Sequence, residues 1–304
     1  MAEVNDSETT GPLTEPFASP REVTDINACH FYHVMDLPGF GTTEGLWDLR
    51  RGVDAYLGRV RFAGKRVLEI GPASGFLTFE MERQGADVVC VDLPPDHAWD
   101  FVPFATLDLD QTSGERAEHM EYMRNGFWFA HRAFGSRAKV YYGTVDTLPA
   151  SLGRFDVAVM AAVLLHCRDP LAVIDVCASR ADTLIIVEML YEDLEGQAVR
   201  RLAPSPQNRD WSVWWHFSSS FFRNYLAVIG FSRWQITTHR PKHIASRQPM
   251  RLATHQHGAV NDRRVRFYTI VARRSGGYGR KRAWYWGVVN KVSMRLRGEP
   301  PASS

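Results

Sequence analysis

A short apolar strand that runs into a turn of small residues limits most strongly what this chain can fold into. Residues 66–75 read RVLEIGPASG, and a helical pattern begins directly after Gly75. Small residues let the backbone N–H groups at the start of a helix approach a ligand closely, and the helix dipole favours negative charge there. The next apolar run ends at Asp92, where a carboxylate can accept hydrogen bonds from both hydroxyls of a ribose. The pattern predicts a nucleotide-like cofactor across two neighbouring strands.

The rest of the chain alternates between short apolar runs and helical patterns, which is typical of βαβ units around a mostly parallel sheet. With 304 residues, of which 45% are hydrophobic and 23% charged, the chain is long enough to bury a sizeable core. We therefore predict a doubly wound α/β sheet of seven strands. The predicted strands are 66–70, 87–91, 139–142, 156–160, 183–187, 233–237 and 266–272. The predicted helices are 46–57, 76–84, 114–134, 170–179 and 219–229.

Composition divides the chain into three parts. Residues 1–42 form an N-terminal segment, expected to be flexible to about residue 20; residues 43–274 form the main domain; residues 275–304 form a basic tail with interleaved aromatic side chains. We find no run of eighteen apolar residues and no apolar stretch typical of a secretion signal. The four cysteines lack C-x-x-C spacing. These features predict a cytoplasmic protein with reduced thiols.

Two cofactor classes share the geometry of the glycine turn. A dinucleotide fingerprint requires glycine at the first, third and sixth positions of the turn, which are Gly71, Ala73 and Phe76 here. Phe76 would obstruct the close packing of helix on strand that the last glycine provides, which disfavours a dinucleotide. An acidic residue two positions before the first glycine, here Glu69, is instead typical of enzymes that use S-adenosylmethionine.

On these residues the chain resembles the class I S-adenosylmethionine-dependent methyltransferases, over roughly residues 43–274. The resemblance implies a Rossmann-like seven-stranded sheet whose last strand is antiparallel and inserted beside the edge. It also implies that the glycine turn lies under the methionine part of the cofactor, that Glu69 orients the turn or the cofactor's amino group, and that Asp92 binds the ribose. The implied cofactor-binding residues are Glu69, Gly71, Ala73, Gly75, Asp92, Val145, Asp146 and Ala161.

Two further motifs of the family are matched in part. Residues 143–149 (GTVDTLP) resemble the adenine-binding segment, but Thr144 stands where many members have aspartate. The backbone of Val145 or the side chain of Asp146 must then serve. Residues 155–170, which include Ala161, resemble the fourth strand and the loop that faces the transferred methyl group.

Within the class, the spacing is similar to that of the tRNA wobble-uridine carboxymethyltransferases and their uncharacterised relatives. The similarity rests on VLLH at 163–166 and on the positions of Glu188 and Ser218. The resemblance also shows two departures, because Leu46 replaces a lysine and Trp214 a tyrosine that hold the extra carboxylate of carboxy-S-adenosylmethionine. A buried carboxylate without partners is costly, so ordinary S-adenosylmethionine is the expected donor.

A hydroxyl acceptor needs a base to take its proton, and His166 stands just past the fourth predicted strand, at the sheet edge where ligands bind. His166 could instead cap the following helix. Tyr32 and His33 lie in the N-terminal segment, which often lids the site in this class, and could touch acceptor or cofactor. Glu188 ends the fifth predicted strand and could contact the acceptor or pair with an arginine. The candidate catalytic residues are His166, His33 and Glu188; Tyr32 is a candidate for substrate binding.

The aromatic run 211–217 (WSVWWHF) precedes a predicted helix. Its Trp214 and Trp215 are candidates for the wall of a pocket for a flat acceptor, although they could equally pack beneath the helix. No Cys/His cluster has metal-ligand spacing, since His255 and His257 alone are weak evidence, and we predict no metal.

These observations predict methyl transfer from S-adenosylmethionine to a small molecule or glycan, with oxygen as the expected acceptor atom. The basic aromatic tail keeps two other partners open, an RNA or an anionic membrane surface, and it could also simply pack on the domain. An RNA methyltransferase is therefore one alternative function. A non-catalytic protein that only binds the cofactor is the other. The net charge of +2 does not discriminate among these partners and functions.

Overall fold

The computed structural model describes residues 16–97, 99–244 and 265–275, and these form a central seven-stranded sheet with three two-stranded pairs beside it. In chain order the strands are β1 (Asp36–Leu37), β2 (Gly41–Thr42), β3 (Trp47–Asp48), β4 (Arg66–Ile70), β5 (Asp87–Asp92), β6 (Lys139–Tyr142), β7 (Phe155–Ala161), β8 (Ala181–Met189), β9 (Arg200–Leu202), β10 (Trp215–Phe217), β11 (Arg233–His239), β12 (Lys242–His243) and β13 (Phe267–Arg273). The helices are α1 (Val53–Tyr56), α2 (Phe76–Arg83), α3 (Leu109–Phe134), α4 (Pro170–Arg180) and α5 (Ser219–Val228). Short 3-10 helices cover Ile26–Ala28, Val145–Thr147, Ala150–Leu152, Leu164–His166 and Glu192–Leu194.

The central sheet has the strand order β11-β13-β8-β7-β4-β5-β6. Strands β4 to β8 pair in parallel, whereas β13 is antiparallel to both β8 and β11 and lies between them. The predicted doubly wound sheet, with its antiparallel last strand inserted beside the edge, is therefore confirmed. Each of the seven predicted strands is present, with ends shifted by at most two residues.

Side-chain caps fix where the longer helices begin. Asp108 accepts a hydrogen bond from the backbone N–H of Gln111, so α3 starts five residues before the predicted helix 114–134. Asp169 caps α4 through the N–H of Ala172, and Pro170 occupies its first turn. Helices α4 and α5 pack on one face of the sheet, and α2 and α3 pack on the other.

The predicted helix 46–57 is wrong over most of its length. Only Val53–Tyr56 is helical, and Trp47–Asp48 forms a strand that pairs with Lys242–His243. The backbone N–H of Leu46 donates to Tyr32 O over 3.0 Å rather than to a helical neighbour. Local sequence does not distinguish these states, because a short apolar run suits both a buried strand and a helix.

The N-terminal segment packs along α3 and so reaches the glycine turn. His30 N–H donates to Tyr122 O over 2.8 Å, and Asn125 Nδ2 donates to Ala28 O over 3.1 Å. A Cβ on Gly126 would lie 2.4 Å from His30 O, so the helix needs glycine at this crossing. Within the predicted flexible leader, Ala18 N–H already donates to Val140 O on the edge strand β6.

Several predictions fall outside the described residues. These are the basic tail from residue 276 onward, the first fifteen residues, and the loop 245–264 with His255 and His257. Within the described ranges, no helix is long and apolar enough to cross a membrane.

Candidate functional site

The backbone of the turn between β4 and α2 has a conformation that lets a ligand approach it closely. Gly71 has φ +69° and a Cβ there would lie 2.9 Å from Val163 Cγ2, while Gly75 has φ +90° and a Cβ would lie 2.4 Å from the Phe79 ring. Ala73 between them also has a positive φ, of 51°. A succession of left-handed residues turns backbone N–H groups outward at the start of α2. The turn can therefore receive a ligand against bare backbone.

Glu69 anchors this turn from beneath. Its side chain is buried, and Thr78 Oγ1 in α2 donates a 2.5 Å hydrogen bond to Glu69 Oε2. Burial raises the pKa of Glu69 to about 7, although the hydrogen bonds from Thr78 and Cys90 act in the opposite direction. The carboxyl thus ties β4 to α2, which favours the first of its two predicted roles, orienting the turn.

Asp92 is the last residue of β5, the strand next to β4 on the side of β6. Its Oδ1 accepts the N–H of Leu93 over 2.9 Å. Burial raises the pKa of Asp92 to about 6, against the opposing attraction of the Arg124 and Arg116 guanidiniums. The predicted ribose ligand therefore lies beside the glycine turn, and both arginines come from α3.

The predicted adenine segment lies next to Asp92, because Gly143 N–H donates to Asp92 O over 2.9 Å. Val145–Thr147 is a 3-10 helix, and Thr147 Oγ1 accepts the backbone N–H of Thr144 over 3.1 Å. Thr144, which stands where the family often has aspartate, thus takes part in a capping box. Val145 is half-buried and Asp146 is exposed, so both of the predicted contacts remain available.

His166 ends the 3-10 helix that follows β7, and a carbonyl fixes its ring. His166 Nδ1 lies 2.6 Å from Ser212 O. Because a carbonyl oxygen only accepts, Nδ1 carries a proton, and the neutral ring has its lone pair on Nε2. Asp210 Oδ1 in turn accepts the N–H and O–H of Ser212, which holds that backbone in place. Sequence offered no signal for Ser212, since its carbonyl belongs to a loop distant in the chain.

Glu188 lies near the end of β8 and is 2% exposed. The backbone N–H groups of Leu164 and Leu165 donate to its carboxyl, and within the described structure Oε1 has no hydrogen-bond partner. Burial raises the pKa of Glu188 to about 8. No arginine forms an ion pair with it among the described residues. Its environment is that of a carboxyl that is protonated near neutral pH.

Tyr32 and His33 reach the site through the N-terminal segment. Tyr32 N–H donates to Ser74 Oγ over 2.9 Å, and the His33 ring lies 5.5 Å from that of Phe76 at the start of α2. Burial lowers the pKa of His33 to about 3, so its ring stays neutral at any physiological pH. His33 Nδ1 is buried without a hydrogen-bond partner in the described structure.

Trp214 and Trp215 lie against the loop that carries His166. Trp214 N–H donates to Leu165 O over 2.8 Å, and Trp215 Nε1 donates to Cys167 O over 3.1 Å. Arginine guanidiniums lie over both indole rings, Arg168 at 4.8 Å and Arg200 at 4.3 Å. The two tryptophans therefore pack against this loop while facing cationic side chains.

A segment that the sequence analysis missed crosses the same sheet edge. Residues 93–97 and 99–108 leave β5 and reach the aromatic run, where Trp214 Nε1 donates to Asp100 O over 2.6 Å and Val102 N–H donates to Trp211 O over 2.8 Å. We call these residues the crossing segment. It places the Trp99 ring 6.2 Å from that of His166. Only the tertiary structure reveals it, since the segment has no regular secondary structure.

All of these groups therefore gather at one edge, because Gly71, Asp92, Ala161 and Glu188 lie at the carboxyl ends of β4, β5, β7 and β8, which are consecutive or neighbouring strands. Within the described residues no three His, Cys, Asp or Glu side chains cluster as metal ligands.

The residues present fit S-adenosylmethionine. The left-handed turn at Gly71, Ala73 and Gly75 presents backbone N–H groups at the start of α2, and Asp92 can accept from two ribose hydroxyls. The site also holds buried polar atoms without a hydrogen-bond partner in the described structure, namely Glu188 Oε1, His33 Nδ1 and Trp99 Nε1. Buried polar atoms are normally satisfied, so these point to a bound ligand.

Comparison with known proteins agrees with this geometry. The family model described as a methyltransferase domain matches residues 47–236. Curated relatives include the ubiquinone biosynthesis O-methyltransferases of Azotobacter vinelandii, 31% identical over 119 residues, and of Cereibacter sphaeroides, 34% identical over 116 residues. The first match covers 39% of this chain and 40% of the relative, the second 38% and 36%, so the aligned region spans about two fifths of those proteins.

Solved structures with a similar course of the chain include the N-terminal domain of EvdMO1 with SAH and D-fucose, with a TM-score of 0.48, 20% identity, and coverage of 80% of this chain and 90% of that one. Another is a 1,6-didemethyltoxoflavin-N1-methyltransferase of Burkholderia thailandensis, with a TM-score of 0.41, 17% identity, and coverage of 74% and 77%. Similarity at this level does not bear on the acceptor.

The predicted cofactor class, S-adenosylmethionine, and the predicted methyltransferase fold are thus confirmed. Since the matching model covers more than half of the chain, the protein belongs to the methyltransferase domain family.

Proposed function

We propose that this protein transfers a methyl group from S-adenosylmethionine to a hydroxyl oxygen of a small organic molecule. The observation that carries the proposal is His166, whose Nδ1–H is held by Ser212 O at the sheet edge that also bears the glycine turn and Asp92. A fixed imidazole with its lone pair on Nε2 is suited to take a proton from a hydroxyl. The names of the curated O-methyltransferase relatives support oxygen as the acceptor atom.

The cofactor, when bound, supplies a methyl group on positively charged sulfur, whose leaving group is the neutral thioether S-adenosylhomocysteine. His166 then has one task, which is to accept the acceptor's O–H proton as the new O–CH₃ bond forms and the S–CH₃ bond breaks. The glycine turn and Asp92 orient the donor, because methyl transfer requires the oxygen, carbon and sulfur to lie in line.

Glu188 would assist as a hydrogen-bond donor. Its carboxyl is protonated near neutral pH, and Oε1 has no partner in the described structure. A neutral acid can orient a second oxygen of the acceptor without adding negative charge beside the hydroxyl that must ionise. The neutral His33, beside Phe76 and Tyr32, would shape the same pocket without altering its charge.

RNA is the second candidate acceptor, suggested by the similarity of residues 163–166, Glu188 and Ser218 to the tRNA wobble-uridine carboxymethyltransferases. The basic tail on which RNA or membrane binding would depend lies outside the described residues. A non-catalytic binding protein, a glycan acceptor and a cytoplasmic location likewise stay predictions. The small-molecule proposal is favoured because the crossing segment and the N-terminal segment both approach the site edge.

The experiment uses S-adenosylmethionine labelled in its methyl group, incubated with purified protein and a host extract divided into small-metabolite, lipid, protein and RNA fractions. We expect label in the metabolite fraction, held as an alkali-stable methyl ether. His166→Ala should lower the transfer rate by about 10²–10⁴-fold and leave the affinity for S-adenosylhomocysteine within about twofold of wild type. Label in nuclease-sensitive material would overturn the small-molecule acceptor, and absence of cofactor binding would overturn the enzyme itself.

A further inference from the structure

Arg116 and Trp99 form a pair that the proposed proton transfer does not use, and the cofactor fit leaves the ligand of Trp99 Nε1 unassigned. Arg116 lies on α3, and its Cζ atom is 3.9 Å from the centre of the Trp99 ring in the crossing segment. Arg116 Nε and Trp99 Nε1 are both buried, and neither has a hydrogen-bond partner in the described structure. Both atoms are donors only, so what they lack is an oxygen that accepts.

The pair lies between the cofactor end of the site and the candidate base. On one side, the Trp99 ring meets the His166 ring edge-to-face at 6.2 Å. On the other side, the Arg116 guanidinium interacts electrostatically with Asp92 and with the Tyr32 hydroxyl. A ligand that reached Arg116 would therefore pass beside the atom that is proposed to take the acceptor's proton.

The charges around Arg116 leave a positive excess. Glu121 is shared between Arg21 and Arg124, and Asp92 is the acid that attracts both Arg116 and Arg124. Two carboxylates, those of Glu121 and Asp92, thus face three arginine side chains. Asp92 is also the predicted ligand of the ribose. Among the described residues Arg116 forms no ion pair within 4.0 Å. Burial lowers the pKa of Arg116 to about 10, although the attraction of Asp92 and Tyr32 acts in the opposite direction.

We infer that Arg116 and Trp99 bind an anionic group of the acceptor, a carboxylate or a phosphate, and so select acidic acceptors. This inference rests on the proposed function, since it names the substrate class of the same site. A guanidinium recognises carboxylate and phosphate through charge-assisted hydrogen bonds. The Trp99 ring stacked on the Arg116 guanidinium holds its N–H groups in one orientation. The positive sulfonium of the donor would add to the preference for an anion.

The test measures binding of benzoate, phenyl phosphate and the neutral benzamide by ligand-observed NMR, with and without S-adenosylhomocysteine. We expect at least one of the two anions to bind the S-adenosylhomocysteine-loaded protein about tenfold or more tightly than benzamide, and the anion that wins identifies the group. Arg116→Gln should abolish the preference, and Arg116→Lys should restore part of it because the charge returns.

Arg223→Gln is the matched control. Arg223 also lies over a tryptophan, Trp234, at 4.1 Å, and its Nε is also buried without a partner in the described structure. Trp234 stands at the start of β11, at the sheet edge opposite to the site. This variant should keep the full preference for the anion. Trp99→Phe, which retains an aromatic ring but removes the indole N–H, should weaken anion binding about threefold.

Two results would overturn the inference: benzamide binding as tightly as both anions, or an unchanged preference in Arg116→Gln. An unchanged preference together with a loss of S-adenosylhomocysteine affinity in Arg116→Gln would assign the arginine to the cofactor. Failure of the proposed function is separate, because it would show as absent methyl transfer while the anion preference of the S-adenosylhomocysteine-loaded protein is intact. If S-adenosylhomocysteine does not bind, the enzyme proposal fails, and the anion preference is read from the titration without it.

Discussion

The backbone N–H of Tyr32 donates a 2.9 Å hydrogen bond to Ser74 Oγ in the glycine turn. Ser74 is fully buried, and its hydroxyl joins the N-terminal segment to the loop predicted to lie under the cofactor's methionine part. Ser74 is thus the group in the turn that helps to hold Tyr32 and His33 over the site. A substitution of Ser74 should therefore change both the affinity for the cofactor and the stability of the fold.

We expect Ser74→Ala to lower the affinity for S-adenosylhomocysteine by about three- to tenfold, and the free energy of unfolding by about 1–2 kcal/mol, because a buried backbone donor loses its acceptor. Thr43→Ala is the matched control. Thr43 Oγ1 accepts the N–H of Met35, which belongs to the same N-terminal segment as Tyr32, over 2.9 Å and away from the turn. It should cost similar stability and leave the affinity unchanged, as titration calorimetry and thermal unfolding will show. Equal loss of affinity in both variants would refute the specific link.

Alanine substitution at Gly75 and at Gly135 allows the cost of a steric clash to be distinguished from the cost of backbone strain. Both have positive φ, +90° and +60°, but a Cβ on Gly75 would meet the Phe79 and Phe127 rings at 2.4 and 2.9 Å, while nothing lies within 4 Å at Gly135. We expect Gly135→Ala to cost about 1 kcal/mol of unfolding free energy and Gly75→Ala about 2–4 kcal/mol, with loss of cofactor binding. Chemical denaturation measures both, and equal costs would show that the rings move away freely.

Asp92 should make cofactor affinity dependent on pH. Burial raises the pKa of Asp92 from 3.8 to about 6, so its carboxylate, the better acceptor for ribose hydroxyls, is present above that pH and lost below it. Affinity for S-adenosylhomocysteine should be constant above pH 7 and fall by up to about tenfold per pH unit below pH 6. Asp92→Asn should bind more weakly at pH 7, with a flat profile. A wild-type affinity that is unchanged down to pH 5 would contradict the assignment.

Glu188 should make the folded state less stable in alkali. Burial raises the pKa of Glu188 from 4.5 to about 8, so the folded protein favours the protonated acid. The stability that this group contributes is therefore fully present below pH 4.5 and is lost as the pH rises through about 8.

We expect Glu188→Gln, which keeps the shape and an oxygen for the N–H groups of Leu164 and Leu165, to gain about 2–5 kcal/mol over wild type between pH 5 and pH 9. Glu44→Gln, at an exposed position, should not change the profile. In Glu188→Gln the free energy of unfolding will still fall with rising pH, but less steeply than in wild type. The remaining dependence arises because burial also raises the pKa of Glu69, to about 7. Parallel stability curves for wild type and Glu188→Gln would show that Glu188 titrates normally.

Much of the site could be predicted because its parts are local in sequence. The turn at 66–75 and the acid at Asp92 depend on residue types at fixed spacing, and a strand, a turn and a helix start form from neighbours along the chain. The strands β4, β5, β7 and β8 can be predicted to within two residues because buried parallel strands are short and mostly apolar. The same logic fails at 46–57, where the apolar pattern predicts a helix and the structure has a strand. There, Leu46 bonds to Tyr32 and Trp47–Asp48 pairs with β12, both of them partners distant in the chain.

The pattern of residue types is enough to predict the sheet, the glycine turn and the edge at which the candidate site lies. Which other groups meet at that edge was decided only by the tertiary structure: Ser74 under Tyr32, Ser212 O on His166, and Arg116 over Trp99. The reason is physical. Strand and helix preferences arise from neighbouring residues, whereas the tautomer of an imidazole or the counter-charge of a guanidinium depends on atoms that the fold brings from dozens of positions away.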